Sequence, residues 1–85
     1  MARSMPAIAY DDIRELVVMF SGEGATNDTW AWAGKNWKQL KARPAPASRW
    51  SAAAAFDPYS DGIVMFGGSS ANGALADTWI FTPAR

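Results

Sequence analysis

The chain has 85 residues with eight basic and eight acidic side chains, so no field of one sign draws it to nucleic acid or to an anionic membrane. It has neither cysteine nor histidine, which removes disulfides, thiolate and imidazole metal ligands and the commonest general base. Five tryptophans within a 49% hydrophobic composition indicate aromatic packing in a folded core rather than disorder.

Met5 to Tyr10 opens the chain as a first predicted strand, carrying Pro6 and the β-branched Ile8. Leu16 to Phe20 is an apolar run bounded by Glu15 and by Ser21-Gly22, the pattern of a strand covered on both faces. Asp28 to Ala33 alternates, with Trp30 and Trp32 on one face and Thr29 and Ala31 on the other. Gly34-Lys35-Asn36 is a turn, and Trp37 to Leu40 returns as the second arm of a hairpin. Pro44 and Pro46 then exclude a central strand or a helix. Ser51 to Ala55 is alanine-rich and favours helix on intrinsic preference. It is too short for an independent helix and is read as a strand. Ile63 to Phe66 repeats the apolar pattern, Gly67-Gly68 ends it, and Asp77-Thr78-Trp79 begins the last strand.

The two halves overlay. Shifted by 46 residues, Arg3 falls on Arg49, Ala9-Tyr10-Asp11 on Ala55-Phe56-Asp57, and Val18-Met19-Phe20 on Val64-Met65-Phe66. Ser21-Gly22 falls on Gly67-Gly68. The second copy carries three more residues in the next loop, after which Asp28-Thr29-Trp30 matches Asp77-Thr78-Trp79. A repeat of this period is the signature of a solenoid or propeller unit, and it overrides the helix preference of residues 51–55.

Phe66-Gly67-Gly68, the pair Trp30 and Trp37, and Pro46-Ala47-Ser48-Arg49 resemble the Kelch repeat. Asn27 to Gly34 with Trp37 is similar to its bacterial, galactose-oxidase-like branch. The resemblance implies an all-β fold: antiparallel four-stranded propeller blades in an incomplete propeller. Residues 1–45 form one blade, and residues 46–85 a second that lacks its outermost strand. It places strands near 5–11, 16–21, 28–33 and 36–41, then near 49–56, 62–67 and 77–82. Small alanines suit innermost strands, which converge on the propeller axis. A ring needs at least about four blades, so further blades come from a longer parent chain or from a homo-oligomer.

The resemblance also sorts the conspicuous residues. Arg3, Gly22, Trp30, Trp37, Arg49, Gly67, Gly68 and Trp79 take structural positions: the tryptophans between blades, the arginines on turn carbonyls or acids. Ser21 stands where the family has glycine, and the tight backbone there is expected to relax. Gly67-Gly68 is not followed by a helix or by Lys-Ser/Thr, so it is no phosphate loop. Asp28 and Asp77 recur at strand starts and read as turn-holding carboxylates. Asp11-Asp12 with Glu15 matches no standard calcium loop and reads as a solvated turn.

Binding residues concentrate on loops carried by a rigid scaffold. The divergent loops, Ser21 to Asn27 and Ser69 to Ala76, offer Glu23, Asn27, Ser70 and Asn72, and Trp50 is the aromatic without an equivalent, since Ser4 takes its place. No catalytic set, metal site or cofactor motif is present in the sequence. The expectation is a non-enzymatic binding module that presents loops to a protein or carbohydrate ligand, with no nucleic-acid or membrane partner. The alternative is scaffold from a galactose-oxidase-like enzyme whose active site lies outside the chain. No apolar run reaches the ~20 residues of a membrane helix, and Met1 to Pro6 lacks the apolar middle of a signal peptide.

Overall fold

The computed structural model describes residues 4–23, 27–41 and 45–83. Every regular element among them is a strand: β1 (Ala7–Asp11), β2 (Leu16–Phe20), β3 (Thr29–Trp32), β4 (Trp37–Leu40), β5 (Ala53–Asp57), β6 (Gly62–Phe66), β7 (Ser69–Ser70), β8 (Gly73–Ala74) and β9 (Thr78–Phe81). Pairing is antiparallel throughout, in a four-stranded sheet β1-β2-β3-β4, a three-stranded sheet β5-β6-β9 and the small hairpin β7-β8. The fold is all-β and unclosed, of the incomplete-propeller kind. Arg3 lies outside the described residues.

The register carries the repeat into three dimensions. Ala7 pairs with Phe20, and Phe20 with Thr29. In the second sheet Ala53 pairs with Phe66, and Phe66 with Thr78. The bridge Ser4–Glu23 recurs as Trp50–Ser69 at the same shift. Left-handed backbone recurs likewise: Met5 (φ 54°) and Ser51 (φ 60°), Glu15 (57°) and Asp61 (55°), Ser21 (57°) and Gly67 (72°), Gly22 (126°) and Gly68 (96°). Non-glycine residues seldom adopt this conformation, so a matched series of them reflects one backbone path used twice.

Ser21 corrects one expectation. It keeps the left-handed turn that Gly67 makes, and it is fully buried. Its Oγ accepts a hydrogen bond from Arg49 N at 2.9 Å, which ties the first sheet to the approach of β5. The tight turn is therefore retained, with a hydroxyl standing where glycine would leave a void.

β5 begins at Ala53, so the strand takes in the second half of the alanine-rich segment, after Ser51 in left-handed backbone. Helix propensity differences are fractions of a kcal/mol per residue, and cross-strand pairing with β6 outweighs them. β1 and β5 lie side by side, and the sheets meet face to face through Ala7 and Phe20 on one side and Ala54, Met65 and Trp79 on the other. Alternation then dictates the outward residues: Ile8, Met19 and Trp30 on the first sheet, Ala53, Phe66 and Thr78 on the second.

Candidate functional site

The C-terminal ends of β2 and β6 and the N-terminal ends of β1, β3, β5 and β9 share one edge of the molecule. The divergent loops leave from this edge. Glu23 N donates to Ser4 O at 2.8 Å, and Ser4 Oγ donates to Glu23 Oε1 at 3.5 Å. Gly22 N donates to Arg49 O at 2.9 Å, which brings the neighbours Glu23 and Trp50 to the same stretch of edge. Trp50 and Ser69 exchange both backbone hydrogen bonds at 2.9 Å. Ser70 and Asn72 sit on the β7–β8 hairpin, where Ser70 Oγ donates to Gly73 O at 3.1 Å and accepts from Asn72 N at 3.2 Å. Asn27 is exposed just before β3 on the same edge.

The structure thus brings Glu23, Trp50, Ser70 and Asn72 onto one hydrogen-bonded rim, with Asn27 at the start of β3. The β7–β8 hairpin lies inside what the sequence presents as a plain loop. Gly73, at φ 115°, supplies its turn, and Asn72-Gly73 is a short-range hairpin signal that could have found it.

Beneath the rim lies a charged anchor. Arg49 is buried, with Nη1 and Nη2 donating to the two oxygens of Asp77 at 2.6 and 3.0 Å. Nη1 also donates to Gly67 O and Nε to Ala47 O, both at 3.1 Å. Asp77 in turn accepts from Trp79 Nε1 at 2.7 Å. The Arg49 guanidinium and the indole hold the Asp77 carboxyl well below the usual carboxylate range. It stays ionised at neutral pH and is unsuited to donate or take a proton there. Asp28 holds the Trp30 indole in the same way, at 2.7 Å. Both carboxylates therefore fix a tryptophan two residues on.

A second charged cluster joins the opposite ends of the sheets. Asp11 is fully buried, not solvated, and its Oδ1 accepts from Ile13 N and Arg14 N, both at 3.0 Å. Arg14 donates to Asp11 Oδ2 at 2.8 Å and, across the sheets, to Asp61 Oδ2 at 2.9 Å. These two carboxylates, Asp61 foremost, push the Arg14 guanidinium upward from its ordinary value. Sequence reasoning missed this bridge because Ser60 replaces Arg14 in the second copy, where it donates to Asp57 Oδ2 at 3.1 Å instead. Among the described residues no group of three or more His, Cys, Asp or Glu side chains is arranged to hold a metal.

Of the tryptophans, Trp79 packs into the contact between the sheets. Trp30 lies on the outward face of the first sheet. Trp37 stacks at a tilt on Trp32, with ring centroids 5.7 Å apart. An apolar cleft of about 60 Å³ opens beside Phe20, Pro46, Met65 and Trp79.

An unclosed all-β scaffold with a polar rim is the class of protein that these features define. No family model matches the chain. It is similar to the tRNA wybutosine-synthesizing protein 4 of Aspergillus fumigatus, 36% identical over 61 residues. That stretch is 71% of this chain and 6% of the relative, so the chain spans a small fraction of the relative's length. The likeness corrects the expectation of a non-enzymatic protein. A synthesizing protein contains a segment of this kind, and the lack of a catalytic set in 85 residues does not place the chain outside enzymes.

Proposed function

We propose that this chain is a pair of Kelch-type blades serving an enzyme, and that its rim binds a ligand for that enzyme through Glu23, Asn27, Trp50, Ser70 and Asn72. The domain reading goes with it: residues 1–45 as one blade and 46–85 as the next. The observation that supports the blades most is the recurrence of the Ser4–Glu23 bridge as Trp50–Ser69, together with the matched left-handed residues. The enzymatic setting rests on the similarity to a synthesizing protein, which takes the place of a galactose-oxidase-like context.

The ligand class follows from the rim's chemistry. An indole, two hydroxyls at Ser69 and Ser70 and the Asn72 amide suit a protein or carbohydrate surface. The five proposed contact residues include no cation, so the salt-sensitive phosphate contacts that dominate nucleic-acid binding have no source among them. The test is an amide NMR titration against a glycan panel, candidate protein partners and tRNA. Shifts confined to residues 23, 27, 50 and 69–74 with a protein or glycan, lost in Trp50→Ala/Asn72→Ala, are expected. Retention of tRNA at physiological salt with shifts elsewhere would contradict the reading.

A further inference from the structure

The two outward sheet faces largely repeat the two faces already in contact. Ala53, Phe66 and Thr78 occupy the second sheet's outward face in the register that Ala7, Phe20 and Thr29 hold on the first sheet's inward face. In the next row Ala55 and Val64 repeat Ala9 and Val18, and only Ile80 differs, standing where the first sheet has Ala31. The other pair of faces agrees in part. Met19 and Trp30 look outward from the first sheet where Met65 and Trp79 look inward from the second, and Tyr10 stands where Phe56 does, but Ile8 stands where the second sheet has Ala54. Met19 is already buried, so Ile8 and Tyr10 are the uncovered apolar side chains of this face.

Burial shows what is missing. Phe20 is 8% exposed and its copy Phe66 53%; Ala31 is 4% exposed and its counterpart Ile80 56%. Ile8 and Tyr10 stand half-exposed on the other outward face. Apolar side chains of this kind gain from burial against a complementary surface. The surface that fits each face is already defined, because it is the one seen between the two sheets of this chain.

We propose that copies of this chain associate head to tail, the second sheet's outward face on the first sheet's outward face of the next copy. Such an interface is heterologous, so it leaves one face of each kind free at the ends and propagates into a ring or an open array. Charge does not oppose it. The cross-sheet bridge from Arg14 to Asp61 has no copy at the new contact, since Ser60 is the residue that approaches Glu15 there. The association is therefore held by the apolar rows and is insensitive to salt.

The experiment is sedimentation velocity on the purified protein and two variants, Phe66→Glu and Tyr10→Glu, each spoiling one face. Both sites are about half-exposed in the chain, so folding should survive. Unchanged near-ultraviolet circular dichroism from the tryptophans confirms that it does. Ile80→Lys and Ile8→Lys, on the same two faces, stand in for any variant that fails this check. The native protein is expected to gain at least about twofold in average mass between ~1 and ~100 µM. Each variant alone should remain monomeric. An equimolar mixture of the two should form a dimer that grows no further, because each supplies the face the other lacks. A monomeric native protein across that range would overturn the proposal, as would a variant that still assembles alone or a mixture that stays monomeric. Capture of a different repeat protein by a monomeric chain counts among the overturning results. None of these readouts depends on what the rim binds.

Discussion

Arg49 places a full charge in a buried position, and its neighbours make that tolerable. The fork meets the Asp77 carboxylate with two hydrogen bonds and satisfies two carbonyls besides. Arg49→Ala leaves those carbonyls and the carboxylate without their donor. It is expected to cost about 2–4 kcal/mol, a fall in Tm of roughly 10–25 °C, read by thermal denaturation. Because the folded Asp77 titrates below its unfolded value of ~3.9, the pair's contribution is complete above about pH 5. It is lost as pH falls through ~3.9 toward the depressed folded value. Urea midpoints of the native protein and Asp77→Asn should therefore differ at pH 7 and converge in acid. A difference that is as large at pH 2 as at pH 7 would sink the assignment. Gly68 is a contrasting case of steric demand. At φ 96° an added Cβ would lie 2.8 Å from Trp50 O, so Gly68→Ala should lose about 1–3 kcal/mol by chemical denaturation. Ser21→Gly relieves a strained φ but removes the bond to Arg49 N, and should stay within about 1 kcal/mol of the native protein.

At the scale of elements, the β1–β2 and β5–β6 turns are each held by an aspartate. Asp57 Oδ1 accepts from Tyr59 N at 3.0 Å, as Asp11 Oδ1 does from Ile13 N. Their contexts differ, since Asp11 is wholly buried and also positions Arg14 for its reach to Asp61. Asp11→Ala should therefore destabilise by about 2–3 kcal/mol and Asp57→Ala by about 1, compared by urea unfolding. Equal losses would show that the cross-sheet bridge adds nothing. These elements also mark what the sequence makes legible. The seven long strands were readable because β-branched and aromatic runs alternate between Gly, Asp and Ser boundaries, and the repeat settled residues 51–55 against their own helix propensity. The β7–β8 hairpin escaped notice because two-residue strands carry no periodicity. The Arg14–Asp61 bridge escaped because long-range ion pairs occurring once leave no internal copy to compare. Of the candidate rim residues, the loops were legible from their divergence, whereas the backbone exchange between Trp50 and Ser69 needed three-dimensional register.

The whole molecule is two thin sheets sharing one apolar contact, so neither has a core of its own. Phe20 and Met65 lie at the centre of that contact. Phe20→Ala should remove about 3–5 kcal/mol, much of the total stability of a small domain, and both sheets should melt in a single transition. Separate melting of the two halves in calorimetry would show that they are independent. The same thinness explains why the outward faces matter, since a chain this small leaves much apolar surface uncovered. The most direct test of the repeat as one fold used twice is a set of nuclear Overhauser contacts from isotope-labelled protein. Equal cross-strand contacts along Ala7–Phe20–Thr29 and Ala53–Phe66–Thr78, together with contacts from Phe20 to Met65 and Trp79, are predicted. Helical contacts across residues 51–55, or no contact between Phe20 and the second sheet, would contradict it.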